Sequence, residues 1–289
     1  MSPARYPRPG PPEPPEPRRN QRNRSCVLLS VETQGADAQE QDRRQIPGQE
    51  DHAAPRRFFV EGDGERLGCA AFEPTAPAVG ATAVVLHGAG TSDKERMLGL
   101  MRALAAHGRR AVACDFSGHG ESSGELGELS LKRRCAQARA LIDQGVPASD
   151  ELVLIGFSMS GQTVADLLAH YGPRVTTIGL CAPALYARDA WPVPFRAGSG
   201  FTETIRTPGS WRSSAALDTF RAYGARAVLA VPARDEIIPP EVTEAVAGAL
   251  AERSDLTRLV LPDAEHWLGA WFRDHAEDRG RFVRALVGG

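Results

Sequence analysis

The segment Gly156-Phe157-Ser158-Met159-Ser160-Gly161 sets a serine among small residues, between an apolar run (residues 152–157) and a stretch with helical spacing. In a strand–turn–helix setting, a G-x-S turn exposes the serine hydroxyl above the sheet while the backbone stays buried. Small neighbours are needed because the outgoing helix passes close to the incoming strand. Gly156 supplies one of them; Ser160 occupies the place of the usual second glycine, and Gly161 comes one residue late. A serine hydroxyl does acyl-transfer chemistry only with three kinds of help: a base for its proton, an acid to orient that base, and donors for the oxyanion that develops.

Candidates for each role follow strand-like runs. The acid candidate is Asp235 in Pro232-Ala233-Arg234-Asp235-Glu236-Ile237-Ile238-Pro239, with Glu236 as the neighbouring competitor and a helix cap or turn as the ordinary use of such an aspartate. The base candidate is His266 in Pro262-Asp263-Ala264-Glu265-His266-Trp267. Of the other histidines, His107 and His170 end predicted helices and His275 falls within the last one, whereas His87 and His119 sit in glycine-rich loops, which makes His119 the rival base. The oxyanion donors would be the backbone N–H groups of Met159, at a helix start, and Ala89, flanked by Gly88 and Gly90. The alternative use of that loop, a phosphate cradle, lacks a following Lys-Ser or Lys-Thr. No histidine pair has i, i+4 ligand spacing and no cysteines cluster, so neither a metal nor a cofactor is expected.

The elements that must position these residues alternate. Residues 58–61 and 67–72 predict two strands around a Gly62-Asp63-Gly64 turn. Further strands are predicted over 83–86, 110–116, 151–157, 175–181, 227–231 and 258–261. Helices are predicted over 93–107, 130–144, after Ser158 to about 171, over 240–251 and over 270–286. Strands alternating with helices imply an α/β fold: a mostly parallel central sheet covered by helices on both faces, with the leading hairpin as an antiparallel edge. Between residues 182 and 223, after the sixth strand, the alternation breaks into a stretch rich in proline, glycine and aromatics.

Composition narrows the class. A net charge of −2 over 289 residues argues against a general nucleic-acid binder. No apolar run reaches the roughly 18–20 residues of a membrane span. Residues 1–55, rich in proline, arginine and polar side chains, predict a disordered tail with no secretory signal. The five cysteines are an odd number without C-x-x-C spacing, and Cys69, Cys114 and Cys181 fall in apolar strands; a reducing, cytoplasmic setting fits.

Taken together, the motifs resemble those of the α/β-hydrolase family, and within it the monoacylglycerol-lipase, feruloyl-esterase and dienelactone-hydrolase type. The resemblance covers roughly residues 58–287 and rests on five ordered motifs: His87-Gly88 after a strand, the D-x-x-G-x-G-x-S loop from Asp115 to Ser122, the serine turn, the Asp235-to-Pro239 loop, and His266 after the last strand. It implies a triad of Ser158, Asp235 and His266, favours Asp235 over Glu236, gives His119 a place in a loop and not in the triad, and makes Met159 and Ala89 the oxyanion donors. Ser160 in place of glycine is the departure, and a slightly looser helix–strand contact is expected from it.

The resemblance makes residues 56–289 the hydrolase domain and residues 182–223 a cap over the site. Tyr186, Trp191, Phe195, Phe201 and Trp211 in that cap would line an apolar acyl or aryl pocket or, on the plainer reading, anchor the cap to the sheet. Arg196, Arg206 and Arg212 would meet an anionic substrate group or simply be solvated. The expected activity is serine hydrolysis of an ester or thioester of a small to medium acyl substrate. Acyl transfer, peptide or carbon–carbon bond cleavage with the same triad, and a silent binding protein on the same scaffold, are the competing classes.

Overall fold

The computed structural model describes residues 54–288. The tail reading of residues 1–55 therefore lies outside the described residues but for the last two positions. Eight strands form one sheet: β1 (Arg56–Gly62), β2 (Glu65–Phe72), β3 (Ala81–Leu86), β4 (Arg110–Cys114), β5 (Glu151–Phe157), β6 (Val175–Cys181), β7 (Arg226–Pro232) and β8 (Asp255–Leu261). Their spatial order is β1-β2-β4-β3-β5-β6-β7-β8. The pairings β1/β2 and β2/β4 are antiparallel; all others are parallel. The β1–β2 hairpin closes through Asp63 (φ 57°) and Gly64 (φ 78°), the two positive φ values that match the twist of the flanking strands.

The described residues form eight α-helices, all but α4 of them against the sheet: α1 (Leu98–Ala105), α2 (Leu131–Gly145), α3 (Ser160–Tyr171), α4 (Phe201–Arg206), α5 (Ala215–Ala222), α6 (Pro240–Ala251), α7 (Leu268–Asp274) and α8 (Ala276–Val287). The central strands β3 and β5 are apolar runs because both their faces are covered. Alternate residues go to opposite layers. Leu152 and Leu154 join the layer under α2, α3, α5 and α6, and Val153 and Ile155 join the layer under α1, α7 and α8.

Beyond shifts of one or two residues, three elements differ from expectation. The helix predicted over 93–107 begins as a 3-10 turn, Lys94–Met97, capped by the Asp93 carboxylate accepting from the Arg96 N–H at 3.2 Å. The last helix is two, broken at His275, which adopts an extended backbone (φ −117°, ψ 87°). There the Arg279 guanidinium takes the free carbonyls of Phe272 and Arg273, and the His275 ring stacks on Trp271 at 3.5 Å. The last strand starts earlier than its apolar residues do, because β8 is an edge strand with alternating exposed polar positions.

The insert after β6 is not uniform. Its last part, α5, buries Ala216, Leu217 and Phe220 in the main core and acts as a covering helix. Its first part, through Ser214, carries short helical turns and α4.

The order of strands sets where chemistry can occur. From β3 the chain goes to β4 on one side and then to β5 on the other, so the loops leaving β3 and β5 diverge at a switch point. Crevices at the carboxyl ends of strands at such a point are where open α/β sheets bind ligands.

Candidate active site

Ser158 stands at that switch point, between β5 and α3, with φ +49°. A non-glycine residue in this region is strained, and the surrounding backbone holds it there. The Ser158 N–H donates to the Cys181 carbonyl at 2.9 Å, and the Ser158 carbonyl accepts from the N–H groups of Gly161 at 2.8 Å and Ala184 at 2.9 Å. A Cβ on Gly156 would lie 2.5 Å from the Ser160 carbonyl oxygen, so the strand–helix approach demands glycine there. A Cβ on Gly161 would lie 2.7 Å from Pro183 Cβ, which accounts for the glycine that comes one residue late: it admits the start of the insert.

His266 and Asp235 reach Ser158 because the loops after β7 and β8 are tied together. The Ala233 N–H donates to the Leu261 carbonyl and the Arg234 N–H to the Ala264 carbonyl, both at 3.0 Å. In consequence His266 Nε2 is 2.9 Å from Ser158 Oγ, and His266 Nδ1 is 2.9 Å from Asp235 Oδ2. Asp235 Oδ1 also accepts from the N–H groups of Ile237 at 2.8 Å and Ile238 at 3.0 Å. Burial alone would raise the Asp235 pKa, but the bonds from His266, Ile238 and Ile237 outweigh it and hold the group below its ordinary value. An ionised Asp235 accepts the Nδ1–H, which leaves the Nε2 lone pair facing the serine hydroxyl. The competitor Glu236 is exposed.

The rival histidine is elsewhere. His119 Nδ1 is bonded to the Ser117 carbonyl at 3.0 Å, and its ring lies 4.8 Å from that of His87. Burial first, then the nearby charge of Arg134, lowers the pKa of His119. His87 is fully buried: the Phe116 N–H donates to its Nε2 at 3.1 Å, so the Nδ1–H donates to the Gly88 carbonyl at 2.7 Å. Its pKa is pushed well down by burial, then by Arg134 and His119, which keeps it neutral.

The D-x-x-G-x-G-x-S loop is built around Asp115. This buried carboxylate accepts from the Lys94 backbone N–H at 2.8 Å, the Glu121 N–H at 2.9 Å and Lys94 Nζ at 2.6 Å. Gly120 (φ +48°) passes so close to Asp115 that a Cβ there would collide with the carboxylate. Ser122 Oγ donates to the Asp115 carbonyl and accepts from the Gly68 N–H on β2. The loop thus ties the end of β4 to β2 and to the 3-10 turn.

A cleft of about 300 Å³ opens on Ser158, walled by Ala89, Phe157, Tyr186, Ile238, His266 and Trp267 among others. Among the described residues, the N–H groups of Met159 and Ala89 donate to no protein acceptor. Of the insert aromatics only Tyr186 lines this cleft. Trp191, Phe195 and Phe201, named above as pocket residues, do not reach it. They pack with Tyr186 against Met159 and Ala89 and anchor the insert, and the Trp191 indole N–H is held by Asp166 at 2.9 Å. Trp211 packs against the main core under the Arg212 guanidinium. Of the insert arginines, Arg196 pairs with Glu128 at 2.9 Å, and none lines the cleft.

Two positions carry more than sequence reasoning gave them. Ser160 is fully buried and is a hydrogen-bond hub, its Oγ donating to the His87 carbonyl at 2.7 Å and accepting from Arg134 Nη2 at 2.8 Å. Arg134 itself has no solvent exposure. The signal for it was present: Leu131, Arg134, Ala138 and Leu141 share one face of α2 with Gln137, and arginine on a mostly apolar face must find partners inside.

Comparison with known proteins adds the following. Residues 77–207 match the sequence model of a family described as serine aminopeptidase, S33. No curated protein matches the chain in sequence. Est1E from Butyrivibrio proteoclasticus, solved with ferulic acid bound, superposes with a TM-score of 0.62 at 16% identity, covering 80% of this chain and 100% of that one. The thioesterase domain from the curacin biosynthetic pathway gives 0.59 at 18%, covering 80% and 99%. The Pyrococcus furiosus esterase Pf2001 gives 0.59 at 18%, covering 81% and 92%. Strand order, the serine turn at the switch point and these likenesses agree, and the chain has the α/β-hydrolase fold.

Proposed function

We propose that this chain is a serine esterase or thioesterase that works through an acyl-enzyme on Ser158. The observation that carries the reading is the unbroken chain of short contacts from Ser158 Oγ through His266 to Asp235. In the first step Ser158 Oγ attacks the acyl carbonyl carbon while His266 Nε2 takes the hydroxyl proton, and Asp235 orients the imidazole and stabilises the imidazolium. The carbonyl oxygen becomes an oxyanion held by the N–H groups of Met159 and Ala89. Collapse breaks the bond to the alcohol or thiol, which leaves with the proton from Nε2. Water, deprotonated by the same nitrogen, then attacks the acyl-enzyme and frees Ser158.

The cleft bears on the substrate. Its volume sits at the low end for small-molecule sites, which favours a short acyl group. An aminopeptidase must neutralise a substrate ammonium, yet no carboxylate is among the residues that wall the cleft, which favours esters over N-terminal peptide bonds. We assign residues 56–289 to the hydrolase domain and the part of the 182–223 insert that precedes α5 to its cap. The unpaired, buried Cys69, Cys114 and Cys181 support a reducing, cytoplasmic setting. No helix among the described residues is long and apolar enough to cross a membrane.

The test is labelling with a fluorophosphonate probe, beside turnover of p-nitrophenyl esters of increasing chain length and of acyl-CoA thioesters. Wild type is expected to label and to prefer short acyl chains. Ser158→Ala should not label and should lose turnover by more than about 10⁴-fold. Equal labelling of the two proteins removes Ser158 as nucleophile, and an unlabelled wild type returns the chain to the silent-binder class.

A further inference from the structure

Arg134 is an arginine without a counter-ion at the centre of the fold. Its Nη2 donates to the His87 carbonyl at 2.7 Å and to Ser160 Oγ at 2.8 Å. Its guanidinium carbon lies 3.7 Å from the centre of the Phe116 ring. Its Nε and Nη1 are buried and have no partner, and no carboxylate pairs with it among the described residues. A buried cation is costly unless paired. Its retention here points to a role other than stability.

The three groups it joins are placed for that role. His87 is two residues before Ala89, on the loop after β3, and Ser160 is one residue after Met159, at the start of α3. These are the two segments that carry the N–H groups assigned above to the oxyanion. Ser160 Oγ donates to the same His87 carbonyl, so the contacts close a triangle of guanidinium, hydroxyl and carbonyl. A glycine at position 160, the usual residue of this turn, would open the triangle.

We propose that Arg134, acting with Ser160, is the positioning residue of the oxyanion site: it locks the Ala89 loop to the Met159 turn and leaves an uncompensated positive charge behind the two donors. This inference rests on the acyl-enzyme reading. Burial lowers the pKa of Arg134, to about 9, which leaves it charged at neutral pH. A fixed charge in a dry site acts on developing negative charge with little screening. The departure at position 160 and the unpaired arginine thereby have one explanation.

The experiment compares Arg134→Met, Arg134→Lys and Ser160→Gly with wild type, with rates expressed per fluorophosphonate-labelled site. For a short p-nitrophenyl ester, Arg134→Met should lower kcat about 10- to 100-fold with KM changed less than about threefold, short of the loss from deleting a donor outright. Arg134→Lys, which keeps the charge without the fork, should recover part of the loss, and Ser160→Gly should lose less than Arg134→Met. A trifluoromethyl ketone, which forms an oxyanion on the serine, should weaken by the same factor as kcat/KM, whereas an unreactive ground-state analogue should bind as before.

Equal weakening of both inhibitors would mean that Arg134 serves only structure or general binding and would overturn the proposal. So would variants within twofold of wild type in kcat per labelled site. If Arg134→Met does not fold, Ser160→Gly decides by the same two inhibitors. A wild type that neither labels nor turns over ester defeats the acyl-enzyme reading itself, which is a different outcome from a labelled wild type whose variants are unimpaired.

Discussion

Lys94 and Arg134 are both buried cations on either side of the His87 loop, and they are partnered in opposite ways. Lys94 Nζ meets the carboxylates of Asp115 and Glu121, each at 2.6 Å, with Glu95 farther off at 3.7 Å. Arg134 meets a carbonyl, a hydroxyl and an aromatic face, and no acid. The first arrangement cancels its charge and fastens a loop to the sheet, as a structural ion pair does. The second preserves its charge and puts it beside the segments that surround Ser158. Burial alone therefore does not tell a structural cation from a functional one; what distinguishes them is whether the field is neutralised locally.

The comparison predicts unequal costs in stability. Lys94→Met leaves the Asp115 carboxylate buried with only two backbone N–H donors, and breaking a buried pair in this way costs about 3–5 kcal/mol. Arg134→Met removes a desolvated charge and strands no acid, while Ser160 Oγ still satisfies the His87 carbonyl, so its cost should stay below about 1–2 kcal/mol. Urea unfolding of the two variants measures both. Equal losses would break the comparison and make Arg134 a fold-stabilising residue like Lys94.

How much of this was legible depends on what each residue needs in order to be recognised. Ser158, Asp235 and His266 each sit in a local sequence that announces a turn after a strand, so their loops could be placed from the chain alone, and the structure brings the three together. The sheet was legible for the same reason: β3 and β5 are apolar runs of strand length. Trp191, Phe195 and Phe201 were legible only as aromatics, since residue type does not say which surface a ring meets, and they meet one another and the body of the fold. Lys94 and Arg134 were passed over because basic residues on amphipathic segments are ordinarily solvated. Arg133, beside Arg134, behaves in that ordinary way and pairs at its half-exposed position with Asp63. The one-residue offset between them, one side chain turned outward and the other into the core, is a matter of helical phase.

The smallest effect tests the same comparison by pH. Glu121 is half exposed, and its hydrogen bond from Lys94 lowers its pKa below the ordinary 4.5. A carboxylate with a depressed folded-state pKa contributes stability that is fully present above its unfolded value and fades as pH falls through the folded value. The stability difference between wild type and Glu121→Gln should thus be constant from neutrality to about pH 5, no more than about 1 kcal/mol for so exposed a partner, and should vanish in stronger acid. Arg134 has no acid partner to protonate; its charge instead adds to burial in holding the pKa of His87 and His119 down. In acid the wild type should therefore lose more stability than Arg134→Met, whose rings protonate more easily. Urea titrations at pH 7 and at pH 3.5 read both differences. An Arg134 difference that stays constant over this range would mean that its charge is neutralised before it reaches the two rings, and the contrast between the two cations would collapse.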